Sequence, residues 1–157
     1  MSSRLEKLLK ELPIRDLPQR TVCRVAPSTL LGEVYRLLEE THSVAVLVCD
    51  EEGRLLGIFT ERDILQRTAL EGDPETPIEQ VMTQVAVTLG ADQRVSDLIR
   101  TMTEKGVRHI PLLDSEGREA GMVGGRDILR LISEHYPETV LNLPPRLDQQ
   151  MSRPEGG

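Results

Sequence analysis

Gly57-Ile58-Phe59-Thr60-Glu61-Arg62-Asp63-Ile64-Leu65 decides how this chain is read, because sixty-four residues later it returns as Gly121-Met122-Val123-Gly124-Gly125-Arg126-Asp127-Ile128-Leu129. At that offset the sequence lies on itself without a gap from Thr21/Val85 to Leu65/Leu129. Between Asp50 and Leu65, nine of sixteen positions are identical in both copies: Asp50/Asp114, Glu52/Glu116, Gly53/Gly117, Arg54/Arg118, Gly57/Gly121 and the four residues of Arg-Asp-Ile-Leu. Two copies are too few for a solenoid, so the repeat implies a pseudo-symmetric pair.

Working outward, each copy has the same order of elements. In the first, Val22 to Val25 is β-rich. Leu30, Leu31, Val34, Leu38 and Thr41 suit one face of a helix, and Val44 to Cys49 is an apolar run of strand length. Asp50 to Gly53 reads as a turn, Arg54 to Phe59 as the second arm of a hairpin, and Thr60 opens a helix to about Leu70. In the second, Ile78 to Met82 reads as a helical turn and Val85 to Leu89 as a strand. Asp92 is the expected N-cap of a helix marked by Val95, Leu98, Ile99 and Met102. Arg108 to Leu113 and Arg118 to Val123 form the hairpin, and Arg126 to Ser133 the closing helix. Strand–helix–strand–strand–helix, twice, predicts an α/β protein in which helices cover small sheets. The expected divisions are an amphipathic helix in 1–13 (Leu5, Leu8, Leu9, Leu12), a first repeat in 14–71, a breaker-rich linker in 72–77, a second repeat in 78–134, and an extension in 135–157 whose end is expected to be mobile. Each half holds only about 60 residues, a size that buries a marginal core alone, so the halves are expected to pack on each other.

Bulk composition excludes several classes of function. A formal charge of −7 with a pI near 5.0 opposes a phosphate-backbone partner, and three aromatics (Tyr35, Phe59, Tyr136) provide poorly for stacking on bases. The charged N-terminus lacks a signal-peptide apolar region, and no run approaches the ~20 apolar residues of a membrane span. Cys23 and Cys49 show neither metal spacing nor the density of a secreted scaffold, and His42, His109 and His135 fall on unlike elements. No nucleophile elbow or phosphate-binding glycine loop is present. The expectation is a cytoplasmic protein that is not an enzyme, with no metal, no nucleic acid and no membrane.

The repeated segment carries what chemistry there is. Thr60-Glu61-Arg62-Asp63 has capping-box spacing, in which a hydroxyl caps the helix and an acid three residues on returns the bond. A helix start just after a strand also offers free N–H groups to phosphate, and an acid in its first turn can accept two ribose hydroxyls. Gly57 and Gly121 admit a ligand or a neighbouring backbone. Gly124 stands where Thr60 stands, so the second copy is expected to lose its capping box while keeping Asp127. That persistence favours a ligand role for Asp63 and leaves both readings open for Asp127.

The doubled plan, together with Gly57-x-x-Thr60-x-x-Asp63 and Val107-Arg108-His109-Ile110-Pro111-Leu112-Leu113-Asp114, resembles the CBS-domain pair, or Bateman module, over about residues 14 to 134 with no other domain attached. The resemblance implies two β-α-β-β-α repeats packed through their sheets. It also implies a regulatory sensor that binds an adenosyl ligand between them, AMP, ADP or ATP first, with S-adenosylmethionine or NAD(H) as further possibilities. As carried over from the family, one site uses Ile58, Thr60 and Asp63 closed by Val85, Val87, Val107 and Arg108. The other uses Met122 and Asp127 closed by Thr21, Cys23, Ser43 and Val44. Glycine at 124 departs from the family's Ser/Thr and is expected to weaken the second site by about one hydrogen bond, ~0.5–1.5 kcal/mol. Arg108 is the phosphate partner that its fixed charge and forked geometry favour. His109 is either a second contact there or a packed strand residue. Arg62 and Arg126 either reach phosphate or sit on a solvated face. A homodimer packed through helices and an unidentified target protein complete the expectation. The rival is a scaffold that dimerises or docks a partner with no ligand at all.

Overall fold

The computed structural model describes residues 3–18, 22–68, 72–85 and 87–135. Thr21 and the extension beyond His135, both part of the sequence reading, lie outside these residues. Strand β1 (Cys23–Val25) pairs in parallel with β2 (Ala45–Cys49), which pairs antiparallel with β3 (Leu55–Thr60). The second half repeats this order and these directions with β4 (Leu89–Gly90), β5 (His109–Leu113) and β6 (Glu119–Gly124). Helices α1 (Arg4–Glu11), α2 (Leu31–Thr41), α3 (Glu61–Asp63), α4 (Val95–Lys105) and α5 (Gly125–His135) complete the α/β plan.

Strand alternation decides which side chains enter which layer. Val46 and Val48 of β2 point to α2 and join Leu31, Val34, Leu38, Phe59 and Ile78 in one core. At the equivalent positions of β5, Ile110 and Leu112 point to α4 and join Val95, Leu98, Val123 and Leu131 in a second core. The alternate residues Ala45 and Leu47 meet Met122 of the other half, with Val22, Val44 and Ile58 packed around them. The halves therefore join sheet face to sheet face. The unbroken apolar run of β2 follows, since both of its faces are covered.

The segment leading into each repeat packs on the other. Ile14 and Leu17 lie in the core of the second half, whereas Ile78 lies in the core of the first. The main-chain bonds of the two arms match at the same offset. Ile14 N–H donates to Gln93 O at 2.8 Å as Ile78 N–H donates to Thr29 O at 2.8 Å, and Val95 N–H reaches Leu12 O at 3.0 Å as Leu31 N–H reaches Thr76 O at 2.8 Å. Bridges Pro13↔Arg94 and Leu30↔Pro77 complete the correspondence. The repeats thus exchange arms.

Part of the repeated sequence is turn chemistry. Asp50 Oδ1 accepts from the N–H groups of Glu52 and Arg54, and Asp114 Oδ1 does the same for Glu116 and Arg118, while Gly53 and Gly117 adopt φ of 82° and 78°. Asx turns with a left-handed glycine account for those matches without any ligand.

Three element expectations change. The strand expected over Val85 to Leu89 contracts to Leu89–Gly90, because Thr83 bridges Ile58 of β3 through N–H···O bonds of 2.9 Å in both directions and ties this stretch to the first sheet. The helix after Thr60 is a single α turn, Glu61–Asp63, that widens into a π-helical stretch at Ile64–Thr68. Asp92 is not the N-cap of α4. Arg94 N–H is taken by Asp97 Oδ2 at 3.1 Å, and Asp92 instead pairs with Arg15 of the exchanged arm.

Candidate functional site

The β3–α3 junction gathers the polar groups of the first copy. Asp63 Oδ2 accepts from the Thr60 N–H at 2.8 Å and the Thr60 hydroxyl at 3.0 Å, and Asp63 N–H reaches back to Thr60 Oγ1 at 3.4 Å. The other carboxylate oxygen, Oδ1, accepts from the Thr83 hydroxyl at 2.9 Å. Thr83 belongs to the bridge on Ile58, so Ile58, Thr60, Asp63 and Thr83 form one cluster with Asp63 and Thr60 half-buried. Gly57 makes this possible. A Cβ there would stand 2.4 Å from Met82 Sδ and 3.0 Å from the Thr83 carbonyl oxygen, so its role is the close approach of a neighbouring chain segment. Gly57→Ala is expected to break the Ile58–Thr83 bridge, read as lost hydrogen-exchange protection at those two amides with α5 unchanged.

In the second copy the capping box is not fully lost. Asp127 Oδ2 accepts the Gly124 N–H at 2.8 Å, so the returning half of the motif survives without a hydroxyl. The carboxylate belongs to the backbone of its own turn as well as to any ligand, which removes the inference that Asp127 persists for lack of a capping role. Asp63 keeps capacity beyond the cap, since a carboxylate offers about four lone-pair sites and its Oδ1 faces a hydroxyl outside the turn.

The remaining candidates divide by strand face. Cys23 was expected in the second slot and Val87 in the first, but both pack into the core of their own half. Cys23 Sγ lies 3.2 Å from Thr41 Oγ1, and Val87 packs against the cluster of Ile110 and Leu112. Alternation along β1 and the residue before it turns Val22 and Arg24 toward the other half instead, and a period-two count from buried Cys23 finds this face. Val107 packs against its own core, Val85 is half-buried, and Ser43 spends its hydroxyl on Ala45 O at 2.8 Å. Val44 and Met122 sit in the layer between the sheets. Arg108, Arg62 and Arg126 have exposed side chains, and the ring of His109 rests on Gly124.

Sequence reasoning missed the tie between halves beside this layer. Glu119, with a side chain 3% exposed, pairs with Arg24 across the halves and accepts the Gly121 N–H at 2.6 Å, and its own N–H donates to Gly53 O at 3.0 Å. Arg24 is raised above its ordinary value, chiefly by its hydrogen bond to Glu119. Cys49 nearby is pushed up to about 11, first by burial and then by the Glu119 charge, with Arg24 partly opposing. The thiol therefore keeps its proton in the fold while the unfolded chain releases it near 9.0, so stability is full below about 9 and falls as pH rises toward about 11. Denaturant melts at pH 8 and pH 10.5 are expected to differ in wild type and to differ less in Cys49→Ser.

Among the described residues no group of three or more His, Cys, Asp or Glu could hold a metal, and no helix is long and apolar enough to cross a membrane. The family model described as "CBS domain" matches residues 14–69 and 78–134. An uncharacterized 17.7 kDa protein of Acidianus ambivalens is 32% identical over 108 residues, covering 69% of this chain and 65% of its own length. The chain spans just under two thirds of the length of the first curated relatives that it matches, 65% and 64%. Among solved structures, the CBS-domain pair of protein MJ0100 in complex with 5′-methylthioadenosine and S-adenosyl-L-methionine aligns with a TM-score of 0.68 at 26% identity, over 79% of this chain and 98% of that one. The cytosolic domain of the Mg2+ channel MgtE in complex with ATP aligns with a TM-score of 0.66 at 26% identity, over 81% of this chain and 51% of that one.

Proposed function

This chain belongs to the CBS-domain family, and on that premise we propose that it is a regulatory module that binds an adenosyl ligand at Asp63 and reports it to a partner protein. One observation carries the reading: Asp63 holds the hydroxyl of Thr83, 2.9 Å from Oδ1, from a segment that leads into the other repeat. A ribose presents two hydroxyl donors of the same kind, so a nucleoside can replace Thr83 at this carboxylate. The ligand classes named for the two similar structures, S-adenosylmethionine with methylthioadenosine and ATP, support an adenosyl compound. AMP, ADP and ATP are the ligands we assign first, with NAD(H) after them, and the exposed Arg108 is the residue assigned to phosphate.

The mechanism is a population shift. Ligand that takes the Asp63 oxygen from Thr83 loosens the 82–85 strap from β3 and biases the relation of the two repeats, by no more than its differential affinity for the two arrangements. Leu65 and Leu129, matched in the two copies and 73% and 65% exposed, support a homodimer through the closing helices. The role is regulatory, without catalysis, and the compartment cytoplasmic. The scaffold reading draws on the same leucines, and on acids already satisfied by their own turns.

Thermal unfolding with AMP, ATP, NADH and S-adenosylmethionine separates the two. A ligand at a hundred times its dissociation constant adds ~2.7 kcal/mol to the native state, and a shift of several degrees is the expected result. Flat curves with every adenosyl compound would sink the sensor and leave the scaffold.

A further inference from the structure

The two copies differ where their sheets face each other. Register sets Ala45 opposite Thr60 in β2–β3 and His109 opposite Gly124 in β5–β6. One pair is a small residue against a hydroxyl; the other is an imidazole against no side chain. A Cβ on Gly124 would stand 2.9 Å from His109 Cδ2, 3.3 Å from its Nε2 and 3.0 Å from the Arg108 carbonyl oxygen. The ring therefore fills the volume that the Thr60 side chain takes in the first copy, and glycine at 124 is the residue that leaves it room. The same glycine donates its N–H to Asp127 at 2.8 Å. Asp127 is 1% exposed, whereas Asp63 is half-buried with its outer oxygen on a hydroxyl.

Resting on the adenosyl reading above, we propose that His109 is the built-in occupant of the second cleft: its ring covers the approach to Asp127, so one ligand binds per chain, at Asp63. The departure from threonine at 124 is then one half of a matched substitution, and the residue at 109 sets how many ligands the module takes. Side chains that share a volume are not independent, and a double-mutant cycle measures their dependence.

Two measurements test this. Without ligand, Gly124→Ala is expected to lower the melting temperature by several degrees in wild type and by clearly less in His109→Ala, where only the Arg108 carbonyl still crowds the new methyl. With AMP as the calorimetric probe, wild type is expected to bind one equivalent per chain and Asp63→Ala to weaken it at least tenfold. His109→Ala is expected to bind two, and His109→Ala/Asp63→Ala one. Two equivalents in wild type, one in His109→Ala, or additive melting losses would each overturn the proposal. If melting losses are coupled but no variant gives heat with AMP, ATP or S-adenosylmethionine, the adenosyl reading fails and the gating role fails with it, leaving only the packing pair.

Discussion

Ile14→Ala and Ile78→Ala are each expected to cost roughly 2–5 kcal/mol, the range for deleting a buried isoleucine from a packed core. Both side chains are 0% exposed, and each fills the core of the half to which it does not belong in sequence. The larger consequence is where the damage falls. Ile14→Ala is expected to lower hydrogen-exchange protection first in α4 and β5, 81 to 99 residues further along the chain, and Ile78→Ala first in α2 and β2. A loss below about 1 kcal/mol, or protection lost only beside the mutation, would show that the exchanged arms are decoration. Chemical denaturation followed by residue-resolved exchange gives both readouts, and the Ile14→Val control should lose only ~0.5–1.5 kcal/mol.

Asp63→Ala is expected to reduce adenosyl affinity about ten- to a hundredfold, since a hydrogen bond to a charged group contributes ~1.5–3 kcal/mol. Asp127→Ala is expected to change affinity little. Stability should follow the opposite order. Asp63→Ala costs about the 1 kcal/mol of a lost cap and leaves its turn wet, whereas Asp127→Ala strands a buried Gly124 N–H and costs ~1–3 kcal/mol. This crossed pattern distinguishes a binding carboxylate from a structural one. Equal affinity losses at the two positions would refute the asymmetry. Asp63→Asn keeps an acceptor for the cap while removing the charge, so it should retain most of the stability and little of the affinity.

Much of the architecture was legible because the duplication supplied its own control. Two runs with the same order of apolar and turn residues are hard to assign to different elements, and the hairpins at Asp50–Arg54 and Asp114–Arg118 carry their turn chemistry openly. What the sequence concealed was spatial. Nothing local in Pro13-Ile14 or Pro77-Ile78 says that each serves the far half, although the two dipeptides stand at the same offset as the rest of the repeat. The duplication favours a ligand role for Asp63 and leaves Asp127 open, yet the cap explains part of both. The family resemblance assigns Cys23 and Val87 to the sites, whereas the two-residue alternation turns them into the cores of their own halves. Compared position for position between the copies, glycine at 124 is a loss of the Thr60 hydroxyl. Its explanation lies across the sheet at His109, and only strand register brings those two residues together.

The traded arms bear on what a shorter polypeptide could do. One holding a single copy would carry an isoleucine with no hollow of its own to enter, and a hollow with no isoleucine to fill it. Two such polypeptides could complete each other by swapping, as domain-swapped dimers do. The tether through residues 72–77 turns that encounter between molecules into an event within one, so the cores close at any dilution. Severing the chain there should yield halves that rejoin in a concentration-dependent way, rather than two fragments that fold alone.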